Sequence, residues 1–213
     1  MKKKIRVLLA DDHRIFLEGL KKLLEGEFDV VGAVEEGRAL VGAALELAPD
    51  VIVADVSMPS LNGIEAARQL SLTACAAKLI FLTMHGDPLL LRQALAAGAS
   101  GYILKRDAPD VLVAAIRRVA SGKLCFVQDV IQESDLPGGI DAASQRSLGK
   151  LTARQREVLQ LVAEGRTATE IAAAIRITVK TVEFHKSQLM QRLGVRRSAE
   201  LTAIAIRHGL ATP

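Results

Sequence analysis

The chain has 213 residues, half of them hydrophobic, so it can bury one large core or two smaller ones. No apolar run approaches the roughly 20 residues that span a bilayer. The run that follows Lys2, Lys3 and Lys4 stops at Asp11 and Asp12, too early for a secretory leader, so no membrane role and no export are expected. The net charge of +4 is uneven: residues 1–149 carry 17 Lys and Arg against 19 Asp and Glu, and residues 150–213 carry 11 against 5, giving −2 and +6.

In chain order, short Val-, Ile- and Leu-rich runs predict buried parallel strands at Ile5–Ala10, Asp29–Val34, Val51–Asp55, Lys78–Thr83 and Gly101–Leu104. Helical patterns fill the intervals: His13–Leu24, Arg38–Leu47, Gly63–Leu72, Pro88–Ala97 and Pro109–Ser121, the last stopped by Gly122. This alternation predicts a doubly wound α/β sandwich. The periodicity then fades, and Asp135-Leu136-Pro137-Gly138-Gly139 reads as a turn or linker. Beyond it only helices are predicted, at Ala153–Glu164, Ala168–Ile175, Val179–Leu193 and Ala199–His208. Thr152 with Gln155 and Thr167 with Glu170 match the capping box, while Gly165 and Gly194 suit helix ends. We therefore expect an α/β domain at 1–122, a linker at 123–149 and a small helical domain at 150–213.

Chemistry-bearing residues close the predicted strands: Asp11 and Asp12 the first, Asp55 the third, Thr83 the fourth and Lys105 the fifth. Ligands of parallel sheets bind at the carboxyl ends of strands, so these positions should converge. Taken singly, each Asp reads as a cap and Lys105 as a surface charge; their joint placement argues for one site. Three clustered carboxylates call for a hard divalent cation, Mg2+ above all. With a lysine added, the set suits a phosphoryl group. Asp55 would be the nucleophile, forming an acyl phosphate; Asp11 and Asp12 would hold Mg2+, Lys105 would neutralise phosphoryl oxygens, and Thr83 would donate to one of them.

Over about Lys4–Gly122 the sequence resembles the receiver domain of two-component response regulators. The matching residues are Asp11-Asp12-His13, Asp55 with Met58-Pro59 and Gly63, Thr83-Met84-His85, and Gly98-Ala99-Ser100-Gly101-Tyr102 leading to Lys105. The resemblance implies a flavodoxin-like (CheY-like) doubly wound fold with strand order 2-1-3-4-5 and phosphorylation of Asp55 by a sensor histidine kinase. It also implies that the backbone carbonyl of Ser57 completes the Mg2+ shell and that Thr83 and Tyr102 form a switch pair. Three positions depart from the pattern. Asn62 replaces the usual Asp before Gly63 but should still cap a helix. Ala108 replaces a capping Ser before Pro109, so that helix should start less firmly, and Lys123–Gln128 lacks the usual Tyr and Ser-Pro.

In the basic part, Arg176-Ile177-Thr178 separates two helices with helix-turn-helix proportions. Ala172, Ala173 and Ala174 should permit close helix approach; Val182, Leu189 and Leu193 should pack inward; Lys180, Glu183, Phe184, Ser187 and Gln191 should face the groove. Leu151 to Leu159, Glu170-Ile171-Ala172, Lys180-Thr181-Val182 with His185, and Leu193-Gly194-Val195 resemble the four-helix output domain of the NarL/FixJ and LuxR group. That resemblance implies major-groove binding to double-stranded DNA, as a homodimer whose last helix supplies the contact, here through Ala199, Ala203 and Ile206. By position, Lys180, Thr181, Lys186 and Gln188 would meet phosphates, and Glu183, Phe184 and Ser187 bases. Phe184 has a second reading, as an aromatic packed on its own core. No second ligand stands at metal spacing from His13, His85, His185 or His208, and Cys75 and Cys125 read as ordinary thiols of a reducing compartment.

The combined expectation is a cytoplasmic transcription regulator rather than an enzyme, with a histidine kinase, DNA, a second copy of itself and RNA polymerase as partners. One alternative is a phosphatase with an aspartyl nucleophile, although Ser57 stands where a second acid is required. The other is a ligand-sensing LuxR-type regulator, for which one Tyr, five Phe and no Trp offer little pocket lining.

Overall fold

The computed structural model describes residues 4–84, 86–126, 151–207 and 210–211, which form two compact units. The linker from residue 127 onward, its Asp135–Gly139 turn, Lys2 and Lys3, His85 and His208 lie outside the described residues.

The first unit runs β1 (Arg6–Ala10), α1 (Arg14–Leu24), β2 (Asp29–Val34), α2 (Gly37–Leu47), β3 (Val51–Ala54), α3 (Gly63–Ser71), β4 (Lys78–Thr83), α4 (Pro88–Ala96), β5 (Gly101–Leu104), α5 (Ala108–Ala120) and β6 (Cys125–Phe126). Its strands pair in parallel in the order β2-β1-β3-β4-β5-β6. The expected 2-1-3-4-5 order is present, and the sixth strand is an addition that the sequence did not suggest. Alternate strand residues enter two different cores, which is why the strands read as continuous apolar runs. Leu8, Ile52 and Phe81 meet Leu40, Ile64, Leu70, Leu90 and Leu91 of α2, α3 and α4 on one face. Val7, Leu9, Val53 and Leu82 meet Leu17, Leu20, Leu112 and Ile116 of α1 and α5 on the other. Because β1 has β2 on one side and β3 on the other, successive crossovers leave in opposite directions and open a crevice above their carboxyl ends.

Local caps set several starts. Asn62 accepts from the Glu65 amide at 2.8 Å, so it caps α3 as an Asp would. No side chain caps α5, in keeping with Ala108. The helix instead grows directly from a 3-10 turn at Lys105–Asp107 and begins one residue earlier than expected.

The second unit comprises α6 (Ala153–Ala163), α7 (Ala168–Ala174), α8 (Val179–Leu193) and α9 (Ser198–Arg207) around Leu151, Val158, Leu159, Leu161, Ile171, Ile175, Val182, Leu189, Leu201 and Ala205. Both capping boxes form, Thr152 with Gln155 and Thr167 with Glu170. Thr178 caps α8 by accepting from the Thr181 amide at 3.2 Å. The alanine run needs one correction: Ala172 is buried and Ala174 packs against the core, but Ala173, about 100° round the helix from each, is exposed. Among the described residues no helix is long and apolar enough to cross a membrane.

Candidate phosphoryl site and nucleic-acid interface

The strand ends converge as the parallel topology requires. Asp11 follows β1, Asp55 follows β3, Thr83 ends β4 and Lys105 follows β5. Backbone bonds extend the sheet to the acids, from the Asp55 amide to the Ala10 carbonyl at 2.8 Å and from the Asp11 amide to the Val34 carbonyl at 3.1 Å. Asp11, Asp55, Thr83 and Lys105 are buried, whereas the Asp12 side chain is about one-third exposed, at 34%. Lys105 Nζ lies 2.7 Å from Asp11 Oδ2 and 2.6 Å from Asp55 Oδ2, with the Phe16 ring centroid at 4.8 Å.

Burial and pairing act differently on the two partners. At Asp55, desolvation outweighs the Lys105 ammonium and holds the carboxyl above its usual range. At Lys105, burial works to lower the pKa, but the hydrogen bonds to Asp11 and Asp55 prevail and raise it, so the amine is cationic. A buried, costly carboxylate beside a fixed ammonium is ready to be stabilised by further positive charge.

The donor set suits a hard divalent cation. Asp11, Asp12, His13 and Asp55 each offer a ligand atom, all within 4.8 Å of one another. The fold sets the His13 ring beside two of these carboxylates. Its Nδ1 lies 2.8 Å from Asp12 Oδ1 and 3.2 Å from Asp11 Oδ1. Ser57 closes the turn after β3, its amide donating to Asp55 Oδ1 at 3.3 Å.

The same turn depends on a residue without a side chain. A Cβ on Gly63 would stand 2.0 Å from the backbone oxygen of Asp55, and the Gly63 amide donates to the Val56 carbonyl at 2.8 Å. The start of α3 thus presses on the strand exit that aims the Asp55 carboxylate. Tyr102 lies fully inward, 1% exposed, its ring centroid 6.5 Å from that of Phe81; burial pushes its phenol pKa up. Phe16 under the lysine carried no sequence signal, since an aromatic on an amphipathic helix reads simply as core.

On α8 the inward and outward sets separate. Val182 and Leu189 are buried and Leu193 half-buried; Lys180, Glu183, Phe184, Ser187 and Gln191 are exposed; Thr181, Lys186 and Gln188 are half-buried. Phe184 is 61% exposed, so it does not cover its own core, and it makes an edge contact with His185 at 5.9 Å. Val179 is 43% exposed on the same helix. Lys186 Nζ lies 3.3 Å from Glu183 Oε1, and Thr181 Oγ1 is engaged with Thr178 Oγ1 at 2.8 Å. On α9, Ala199 and Ala203 are exposed and Ile206 half-buried, while Leu201 and Ala205 turn into the core.

Comparison with known proteins agrees with this geometry. Residues 7–117 match the family described as response regulator receiver domain, and residues 149–205 match the bacterial regulatory proteins of the luxR family. Response regulator UvrY of Escherichia coli K12 is 33% identical over 208 residues, covering 97% of this chain and 95% of UvrY. The solved RcsB response regulator of Salmonella typhimurium is 30% identical, with TM-score 0.63, over 97% of this chain and 98% of that one. A structure of two RcsB dimers bound to two parallel DNAs is similar at TM-score 0.58 and 30% identity, over 95% and 98%.

Proposed function

The chain belongs to the two-component response regulators of the NarL/FixJ type, in which a receiver is joined to a LuxR-family DNA-binding domain, and from that membership we propose which residues carry each step. Asp55 is the phosphoacceptor. A carboxylate oxygen attacks the phosphorus of a phosphohistidine on a sensor histidine kinase; the P–N bond breaks, its electron pair returns to the imidazole, and an acyl phosphate forms. Asp11, Asp12, Asp55 and the Ser57 carbonyl are the residues that would hold Mg2+, which when bound supplies charge neutralisation for the phosphoryl oxygens. Lys105 would neutralise the same oxygens, and Thr83 would donate a hydrogen bond to them. Tyr102 reports the change as Thr83's switch partner. The observation that carries this reading is the double ion pair of Lys105 with Asp11 and Asp55 at three strand ends.

For the output unit, Lys180, Thr181, Lys186 and Gln188 meet DNA phosphates, while Glu183, Phe184 and Ser187 face bases. Ala199, Ala203 and Ile206 form the contact of a homodimer on DNA; that a similar protein, RcsB, binds DNA as dimers supports a dimeric state, without bearing on these residues. Phosphorylation favours that dimer and hence operator binding, and RNA polymerase is the downstream partner. The protein acts in the cytoplasm as a regulator and does not turn over a substrate. Ser57 and the scarcity of aromatics leave the phosphatase and ligand-sensing alternatives without support.

Incubation with Mg2+ and acetyl phosphate tests this. The donor is expected to tighten dimerisation and specific DNA binding by at least about tenfold, corresponding to roughly 1.4 kcal/mol. An Asp55→Asn protein is expected to show no response; equal responses of the two proteins contradict the assignment.

A further inference from the structure

The sixth strand has no part in the chemistry described so far, yet it is held with some care. Cys125 pairs with Gly101 and Phe126 with Tyr102 in the parallel register. The Cys125 amide donates to the Ser100 carbonyl at 2.9 Å. Arg118 Nε of α5 donates to the Leu124 carbonyl at 2.8 Å, and the Lys123 amide bonds the Arg118 carbonyl at 3.1 Å. Phe126 packs against the same core cluster that contains Tyr102 and Phe81.

Gly101 explains how the strand comes so close. A Cβ there would lie 2.9 Å from the Cys125 backbone oxygen and 3.2 Å from Ile80, so a side chain at 101 would push β6 away. A two-residue parallel pairing is only marginally stable by itself. Its docking therefore depends on the surface that β5 and the buried ring of Tyr102 present. In sequence, Phe126 is followed by the residues that join the receiver to the output unit.

We propose that β6 is a latch that carries the state of Tyr102 into the chain leading to the output unit: strand docking accompanies the inward ring, and phosphorylation of Asp55 tightens both. The proposal rests on the Asp55 and Tyr102 assignments above. An element this small belongs to the low-stability end of the protein, where a change in packing beneath it alters its opening equilibrium.

Hydrogen exchange on the full chain with Mg2+ and acetyl phosphate reads the latch directly. Exchange of the Cys125 amide, which is bonded to the Ser100 carbonyl, should slow by about 3- to 10-fold in the wild type and not in Asp55→Asn. Gly101→Ala should be phosphorylated to the same extent, measured by mobility on a phosphate-binding gel, yet gain less DNA affinity than the wild type. Phe126→Ala, which removes the ring without a backbone clash, carries the same expectation if Gly101→Ala fails to fold. Unchanged exchange, together with a wild-type gain in DNA affinity in either variant, overturns the latch and leaves the phosphoacceptor assignment standing. Absence of phosphorylation in the wild type overturns the assignment beneath it.

Discussion

The two working regions solve opposite problems with charge. In the first unit Asp11, Asp55 and Lys105 are buried, so their energies are governed by desolvation and by the partners the fold supplies. On α8, Lys180, Glu183 and Phe184 face solvent, and the Lys186–Glu183 pair lies at the surface. A buried charge cluster is coupled to folding stability, whereas an exposed one is coupled to salt and to its ligand. Substitutions in the receiver site should therefore be visible without any partner, and those on α8 only when DNA is present.

The largest expected effect would break that contrast if absent. Lys105→Met leaves two buried carboxylates facing each other, and breaking such a buried pair costs about 3–5 kcal/mol. Its melting temperature in chelator should fall well below wild type, and Mg2+ should restore more of it than it adds to wild type. Asp55→Asn should move the other way. The Asp55 pKa is raised in the fold, so its stabilising contribution is full below the ordinary 3.8 and is lost as pH rises through the raised value; at neutral pH the charged carboxylate is a burden. Removing that charge should raise the melting temperature at pH 7 in chelator, with the gain shrinking as the pH is lowered towards the acid range. Thermal denaturation of the two variants across pH with and without Mg2+ checks both signs.

A middle-sized effect sharpens the other half of the contrast. Glu183→Ala and Phe184→Ala should leave the melting temperature within the small range of exposed substitutions, about 0.5 kcal/mol. They should change preference at individual base pairs by about 1–3 kcal/mol, read by binding to a randomised operator library. The smallest effect is that of Lys186→Ala, which should weaken binding to all sequences alike and reduce the slope of log affinity against log salt by about 1. A Lys186 effect confined to one operator would move that residue from phosphate to base contact.

Much of both regions was legible in the sequence, for different reasons. The receiver site could be read because parallel topology sends every strand's carboxyl end to one edge, so Asp11, Asp55, Thr83 and Lys105 needed only their positions after apolar runs. The α8 faces could be read from helical periodicity, which placed Val182 and Leu189 inside and Glu183 outside, while Phe184 was left open between solvent and core. What escaped depends on contacts between distant elements. The ligand atoms of His13 and Asp55 come within 4.8 Å only through strand pairing, Phe16 lies under Lys105 only after α1 packs, and β6 is too short to carry a periodic pattern. The exposure of Ala173 was missed because a run of alanines has no polar face to mark its orientation.

Gly63 has a consequence for how this protein can change. The residues that perform the chemistry have close substitutes, Glu for Asp or Ser for Thr, that retain some of the needed groups. Gly63 has none, because any side chain would occupy the space of the Asp55 carbonyl. The narrowest bottleneck for divergence of this site is thus a position that contributes no functional group, and lineages that retool the acids for new chemistry would still inherit the glycine.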